Sequence, residues 1–258
     1  MFERTDVIYR YDGSFDGLLC CIFESFRRRE RPAEVEAETE WAPGFFASRT
    51  VQTDPGHAER VARGLRGRAS EEAFWLLQDG FRTCAPQRDR LLVDFAHLAM
   101  EHGPRVMAMM GDETVSALLK AVRHLQKEAG HYLGFVRFSE SEGMLTAVIE
   151  PRNAVLPLMA EHFADRFPRE VFLIYDKTHR EALIHRPGAW DIIPLEEYRQ
   201  PQAAAEEQES RALWKLFYDT LEIRERHNPR CRMNHMPKRF WAQLTEMQEP
   251  KKERPLLP

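Results

Sequence analysis

The dominant spacing of large apolar residues changes at Gly134, and that change limits the fold more than any other feature. Before it, apolar side chains recur every three or four positions, the repeat that lines one face of a helix. Leu18, Leu19, Ile22, Phe23 and Phe26 form one such stripe, and Phe74, Leu77 and Phe81 a second. Leu91, Leu92, Phe95 and Leu98 form a third, and Val115, Leu118, Leu119, Val122 and Leu125 a fourth. After Gly134 come short runs of β-forming character: Phe135 to Ser139, Leu145 to Glu150, Val171 to Tyr175, Ala182 to His185 and Trp190 to Ile193. The chain therefore reads as α+β, a helical scaffold with an antiparallel sheet in the C-terminal half. A small strand-helix unit stands at the N-terminus, where Val7 to Tyr11 precedes the turn and cap Asp12-Gly13-Ser14. Two domains are expected: a strand-helix and helical region at 1–84, and an α+β domain with a basic C-terminal segment at 85–250.

The connections follow from turn chemistry. Glu140-Ser141-Glu142-Gly143 reads as a hairpin turn, Lys177-Thr178-His179-Arg180 and Pro187-Gly188 separate further strands, and Val155 to Phe167 carries a helical stripe ending before Pro168. Asp54-Pro55 supplies a cap and first turn for a helix bearing Arg60, Arg63 and Arg66. Glu34, Glu36, Glu38 and Glu40 around Pro32 look like an exposed connector, and Phe46 to Gln52 like a second strand. Residues 199–209 read as a linker or a frayed helix start, followed by a helix with Leu213, Phe217 and Leu221.

Several functions are excluded by what the sequence lacks. There is no GxxxxGK[ST] to cradle a triphosphate, no GxGxxG, no GxSxG elbow and no HExxH. Cys20, Cys21, Cys84 and Cys231 have no zinc-site spacing and read as free thiols. No apolar run approaches the roughly 20 residues of a membrane span, and the first residues carry no apolar signal core. A soluble cytoplasmic protein is expected, without a membrane partner, a metal or a cofactor.

The net charge is −4 over 258 residues, yet Arg224 to Trp241 holds six cationic side chains against Glu225 alone, a net +5. Such a segment can neutralise phosphates, with Phe240 and Trp241 available to stack on a base. The competing reading is a solvated basic tail whose aromatic rings dock on the protein body. Arg60, Arg63, Arg66 and Arg68 pose the same choice, flanking a groove or solvating a surface, and their spacing favours the surface.

Among ionisable clusters, Glu128 and His131 lie three apart at a helix end, with Arg137 just beyond. There a carboxylate can orient an imidazole for proton transfer while Arg137 holds an anionic group. A structural salt-bridged cluster fits the same residues. His97, Glu101 and His102 read as helix-end surface residues, and Asp176 with His179 as an ordinary turn.

Four stretches taken together resemble a known family. They are Tyr11-Asp12-Gly13-Ser14-Phe15-Asp16-Gly17, Glu128 to His131 running into Gly134-Phe135-Val136-Arg137-Phe138, Ile174-Tyr175-Asp176, and Asn228-Pro229-Arg230 leading to Met236-Pro237-Lys238-Arg239-Phe240-Trp241. The chain is similar along nearly its whole length to a bacterial family described as "probable DNA metabolism protein". Members are typically encoded beside a DNA modification or repair radical SAM protein, and the C-terminal portion also occurs fused to uracil-DNA glycosylase-type domains. The resemblance implies DNA and a radical SAM protein as partners. It carries no established active site, and this chain has neither a CxxxCxxC cluster motif nor a GQDPY-like motif. An accessory role in handling modified or damaged DNA is the expectation, with nucleic acid contacted by Arg230, Lys238, Arg239 and Trp241. An acid-base enzyme using Glu128, His131 and Arg137, and a pure interaction scaffold, are the alternatives.

Overall fold

The computed structural model describes residues 2–38, 47–141, 143–199, 205–221 and 228–247. The chain divides into two compact units, Met1–Lys127 and Glu128–Pro258. The cut at 84/85 read from the sequence is a different one, in the loop between the third and fourth helices.

The first unit contains β1 (Glu3–Arg4), β2 (Val7–Tyr11), α1 (Phe15–Arg28), β3 (Glu30–Arg31), β4 (Glu34–Ala37) and β5 (Ala47–Thr50). It continues with α2 (Pro55–Arg68), α3 (Glu71–Phe81) and α4 (Arg88–His102), and then α5 (Glu113–Phe135) begins. The division between the units falls inside α5. Strand β2 lies between β4 and β5 and pairs with both in parallel, while β1 pairs with β3. Val35 and Ala37 of β4 are buried. The stretch expected to be an exposed connector is thus an edge strand as far as Ala37; Glu40 and Phe46 lie outside the described residues.

The helical stripes bury themselves against this small sheet. Tyr9, Tyr11, Leu18, Leu77, Leu92 and Phe95 all belong to one apolar core. Two tyrosines carry their hydroxyls into that core, and each is answered. The Tyr11 hydroxyl donates to Asp89 Oδ2 at 2.7 Å, and the Tyr9 hydroxyl to Glu30 Oε1 at 2.6 Å. Arg88 in turn pairs with Asp89, and Arg49 with Glu30. His97, expected at the surface, is buried: its Nε2 lies 2.9 Å from Ser25 Oγ and its ring stacks on Phe26 at 4.2 Å. Burial holds its pKa down at about 4, so it is neutral at pH 7. Cys20 and Cys21 are buried packing residues, and Cys84 and Cys231 are exposed.

The turn after β2 is closely built. Ser14 caps α1 by accepting from the Gly17 N–H at 3.0 Å, and Asp12 accepts from the Ser14 N–H at 2.9 Å and from Thr53 Oγ1 at 2.7 Å. Gly17 sits where these groups converge. A Cβ there would crowd Asp12 Oδ1, and would stand 2.7 Å from Tyr11 Cδ2 and 2.9 Å from Thr53 Oγ1.

The second unit holds the end of α5, β6 (Ser139–Ser141), β7 (Met144–Ile149), α6 (Leu156–Arg166), β8 (Phe172–Asp176), β9 (Glu181–Arg186) and β10 (Ala189–Pro194). After these come α7 (Ala205–Leu221) and α8 (Pro229–His235). The sheet order is β10-β9-β8-β7-β6. The α+β class holds, with one refinement. All neighbours are antiparallel except β7 and β8, which run parallel because α6 carries the chain back across the sheet. The helical repeat also persists past Gly134, so α5 runs through Phe135 and β6 begins only at Ser139. Phe172 meets Phe163 of α6 on one face of the sheet, while Leu173 and Tyr175 pack with Leu195 and Tyr198 on the other. Helix α7 forms as expected, but Leu213, Leu216, Phe217 and Leu221 are exposed. Among the described residues no helix is long and apolar enough to cross a membrane.

The crowding at Gly17 makes Gly17→Ala a sharp test of the first unit. Alanine favours a helix interior by about 1 kcal/mol over glycine, yet the clash should dominate and cost about 1–3 kcal/mol. Urea unfolding should show a lowered midpoint.

Candidate functional site at the carboxyl edge of β7 and β8

Strands β7 and β8 end side by side, with Ile149 opposite Asp176. The loop after β7 and the turn after β8 therefore leave from the same edge. In parallel sheets this edge is where connecting loops build sites. Two buried carboxylates converge there with the end of α5 and with the C-terminal segment.

The first is Glu128 on α5, 1% exposed. Its Oε1 accepts from the Arg152 N–H at 3.2 Å and pairs with Arg239 Nη1 at 3.1 Å. Its Oε2 accepts from the Asn153 N–H at 2.9 Å and from Asn153 Nδ2 at 2.5 Å. A buried carboxylate left without partners would cost several kcal/mol. Here it ties α5, the β7–α6 loop and the C-terminal segment into one piece. Of the residues read from the sequence, Glu128 and Arg239 are thus direct partners.

The second is Asp176, 0% exposed. Its Oδ1 accepts from the Thr178 and His179 N–H groups at 2.9 and 3.1 Å, which shapes the turn as expected. Its Oδ2 lies 2.7 Å from His179 Nδ1. From sequence, the turn reading of this pair outweighs an active-site one. The missed signal was position: Asp176 ends the strand Phe172–Asp176, every residue of which is buried. Burial by itself would lower the His179 pKa, but the hydrogen bond and charge of Asp176 outweigh it and raise the pKa above the usual histidine value. A carboxylate that fixes Nδ1 leaves Nε2 to exchange a proton, the arrangement a general base requires.

Tyr132 lies between the two carboxylates in electrostatic terms. Burial first, and then the charge of Glu128, raise its hydroxyl pKa to about 12, with Asp176 adding to the rise and Gln243 and Arg239 opposing it. Glu181 is also shifted upward, chiefly by burial, with His179 pulling the other way.

The C-terminal segment is anchored at four points. Besides Arg239, Phe240 is 0% exposed and sits against His131, Tyr132 and Phe135 at ring separations of 5.3, 5.0 and 5.3 Å. Leu244 is fully buried. Glu246 receives Arg137 Nη2 at 3.0 Å and the Trp214 indole N–H at 3.1 Å. Phe240, considered from sequence as a stacking ring for a base, is instead a core residue. His131 meets the rings of Phe240 and Phe135, and Arg137 is held by Glu246 and by the carbonyls of Gly134 and Val136.

The outer side of the segment is different. Helix α8 is capped by Asn228, whose side chain accepts from the Cys231 N–H at 3.0 Å, and Arg230 is exposed on it. Trp241 is half-buried, with its indole N–H donated to the Met236 carbonyl at 2.8 Å. Arg232 and Lys238 lie 5.7 and 5.8 Å from its ring centroid. Among the described residues no cluster of three or more His, Cys, Asp or Glu is placed to hold a metal ion.

A family model described as a domain of unknown function, DUF4130, matches residues 86–246 of the chain. The match contains every residue of this edge and its anchors. No curated protein and no solved structure matched.

Two outcomes follow. In a double-mutant cycle by urea unfolding, Glu128→Ala and Arg239→Ala should couple by about 1–3 kcal/mol, since each leaves the other's charge without its partner. His179 should make stability fall with rising pH. Its contribution is complete below its unfolded pKa of about 6.5 and disappears as pH passes its raised folded value. The component should vanish in His179→Gln, measured as the urea midpoint between pH 5.5 and 8.5.

Proposed function

The chain belongs to the DUF4130 family, a family of unknown function, and from the geometry of its second unit we propose that it is a nucleic-acid-binding accessory protein. The observation that carries this reading is the outer face of the C-terminal segment. From Asn228 to Trp241 the sequence has no acidic residue. Arg230 and Lys238 stand exposed, and Arg232 and Lys238 border the half-buried Trp241 ring. Cations beside a ring are the pairing that grips a phosphate chain and its bases. Arg239 contributes through Glu128, holding the segment in place rather than only presenting charge. The resemblance noted above supplies the setting: modified or damaged DNA, handled together with a radical SAM protein that would bring its own cluster.

A second reading has its own observation. The Asp176–His179 pair is built for proton transfer, at the same edge where the basic segment is anchored. On this reading the protein is an enzyme acting by acid-base chemistry on a modified base or nucleotide, with His179 as the proton carrier.

A salt titration tests the first reading and a conversion assay the second. Full-length protein and a fluorescein-labelled single-stranded dT20 should bind, with a log-affinity against log-salt slope of about −2 for three phosphate contacts. Lys238→Ala should flatten that slope by about one. Trp241→Ala should weaken binding by about 1–3 kcal/mol. Absence of binding at 50 mM salt would sink the accessory reading. For the second reading, an oligonucleotide carrying uracil or hypoxanthine should be converted by the native protein and left intact by His179→Gln, which still binds it.

A further inference from the structure

Helices α1 and α2 lie side by side in the first unit, and a cleft of about 1070 Å³ opens along them. Its floor is apolar, formed by Ile22, Phe26, Val61, Leu65 and Met100. Its rim carries Arg27, Arg60, Arg63 and Arg68, and no carboxylate is among the residues that line it. Arg66, in the middle of the same arginine series, turns elsewhere: it pairs with Glu71 at 3.2 Å and covers the Phe74 ring at 3.9 Å. Arg60, Arg63 and Arg68 are exposed, as the surface reading expects, and also border this groove, the other course the spacing left open. A second cavity of about 400 Å³ shares Phe26, Arg68 and Met100 with the first, so the cleft continues as a trough toward His97 and Glu101.

Glycines keep the wall low. A Cβ at Gly67 would meet nothing within 4 Å, and one at Gly64 would touch only Met100 Cε at 3.7 Å. Each glycine costs the helix about 1 kcal/mol relative to alanine, and here that cost coincides with open space beside the apolar floor.

We propose that this trough is a docking site for an acidic amphipathic helix of a partner protein. The two bordering helices are 14 residues each, about 21 Å long, enough to accept roughly four turns of a third helix. Apolar residues at i, i+3, i+4 and i+7 of the partner would meet the floor, and its carboxylates the arginine rim. The rim pairs now present can yield. Arg63 and Glu59 are both exposed, and such pairs contribute little, while the buried Glu24 that Arg27 meets keeps Arg28 as a second partner. A single-stranded nucleic acid fits less well, because the aromatic rings here already have stacked partners. Phe23 is covered by His57 at 3.9 Å and 13°, and Phe26 by His97 at 4.2 Å and 23°, so a base would have to displace a packed ring.

The test uses the full chain and a fluorescein-labelled 18-residue peptide, with leucines at helical spacing on one face and glutamates on the other. Three controls accompany it: a scrambled peptide of the same composition, a version with lysine in place of glutamate, and dT20. By fluorescence anisotropy the designed peptide should bind at least about tenfold more tightly than either peptide control. Gly67→Phe, which fills the trough, and Arg60→Glu with Arg63→Glu, which reverse its rim, should each lose at least about tenfold with the melting temperature held. Gly67→Ala should keep binding and confirm that the position tolerates a side chain. Equal binding of the scrambled peptide, or binding unchanged by Gly67→Phe, would overturn the proposal. So would dT20 binding that disappears in these same variants, since the trough would then belong to nucleic acid.

Discussion

A carboxylate sealed from water must find donors, and Glu128 imposes that requirement on the whole second unit. Its two oxygens draw in the backbone N–H groups of Arg152 and Asn153, the Asn153 amide and the Arg239 guanidinium. Three segments far apart in sequence are brought together by one side chain. Glu246 repeats the device, gathering Arg137 and Trp214. Between these two carboxylates the stretch from Pro237 to Met247 is fixed in place, with Phe240 and Leu244 supplying the apolar share of the contact. What composition presents as a basic tail is, on its inner side, part of the structural core.

The same logic sorts the arginines. A count of charge along the sequence treats Arg230, Lys238 and Arg239 alike, although Arg239 answers an internal carboxylate and the other two face solvent. In the first unit Arg66 is paired and stacked, while Arg60, Arg63 and Arg68 border an open trough. The field a partner meets comes mainly from cations that face solvent, whether unpaired or, like Arg63, held only by an exposed carboxylate.

Legibility in the sequence followed the range of the interactions. The stripes Leu18 to Phe26 and Val115 to Leu125 announced their helices because the helical repeat is local, and the strand-type runs from Leu145 onward did the same for the sheet, whereas the Phe135 to Ser139 run, up to Phe138, lies at the end of α5 and in the loop before β6. Strand β4 was hidden because its outward positions are Glu34 and Glu36, which mask the alternation of Val35 and Ala37. The parallel junction of β7 and β8 was hidden because it depends on where α6 returns the chain. Asp176 forms the turn that its sequence predicts, and its burial was legible only from its place at the end of the apolar run Phe172 to Tyr175. Glu128, His131 and Arg137 were singled out together, and all three touch the C-terminal segment, but through Arg239, Phe240 and Glu246. Those partners lie too far along the chain for spacing to reveal.

The distance between Glu128 and Arg239 along the chain also bears on how the protein is made. Synthesis proceeds from the N-terminus, so α5, the sheet and the loop after β7 all leave the ribosome well before the cation that completes them. During that interval the nascent second unit holds an acidic group with an incomplete set of donors and an apolar pocket awaiting Phe240. Such half-assembled species are the ones prone to association and to capture by chaperones. The stretch from Pro237 to Met247, translated after the partners it meets, is therefore the one that closes the second unit.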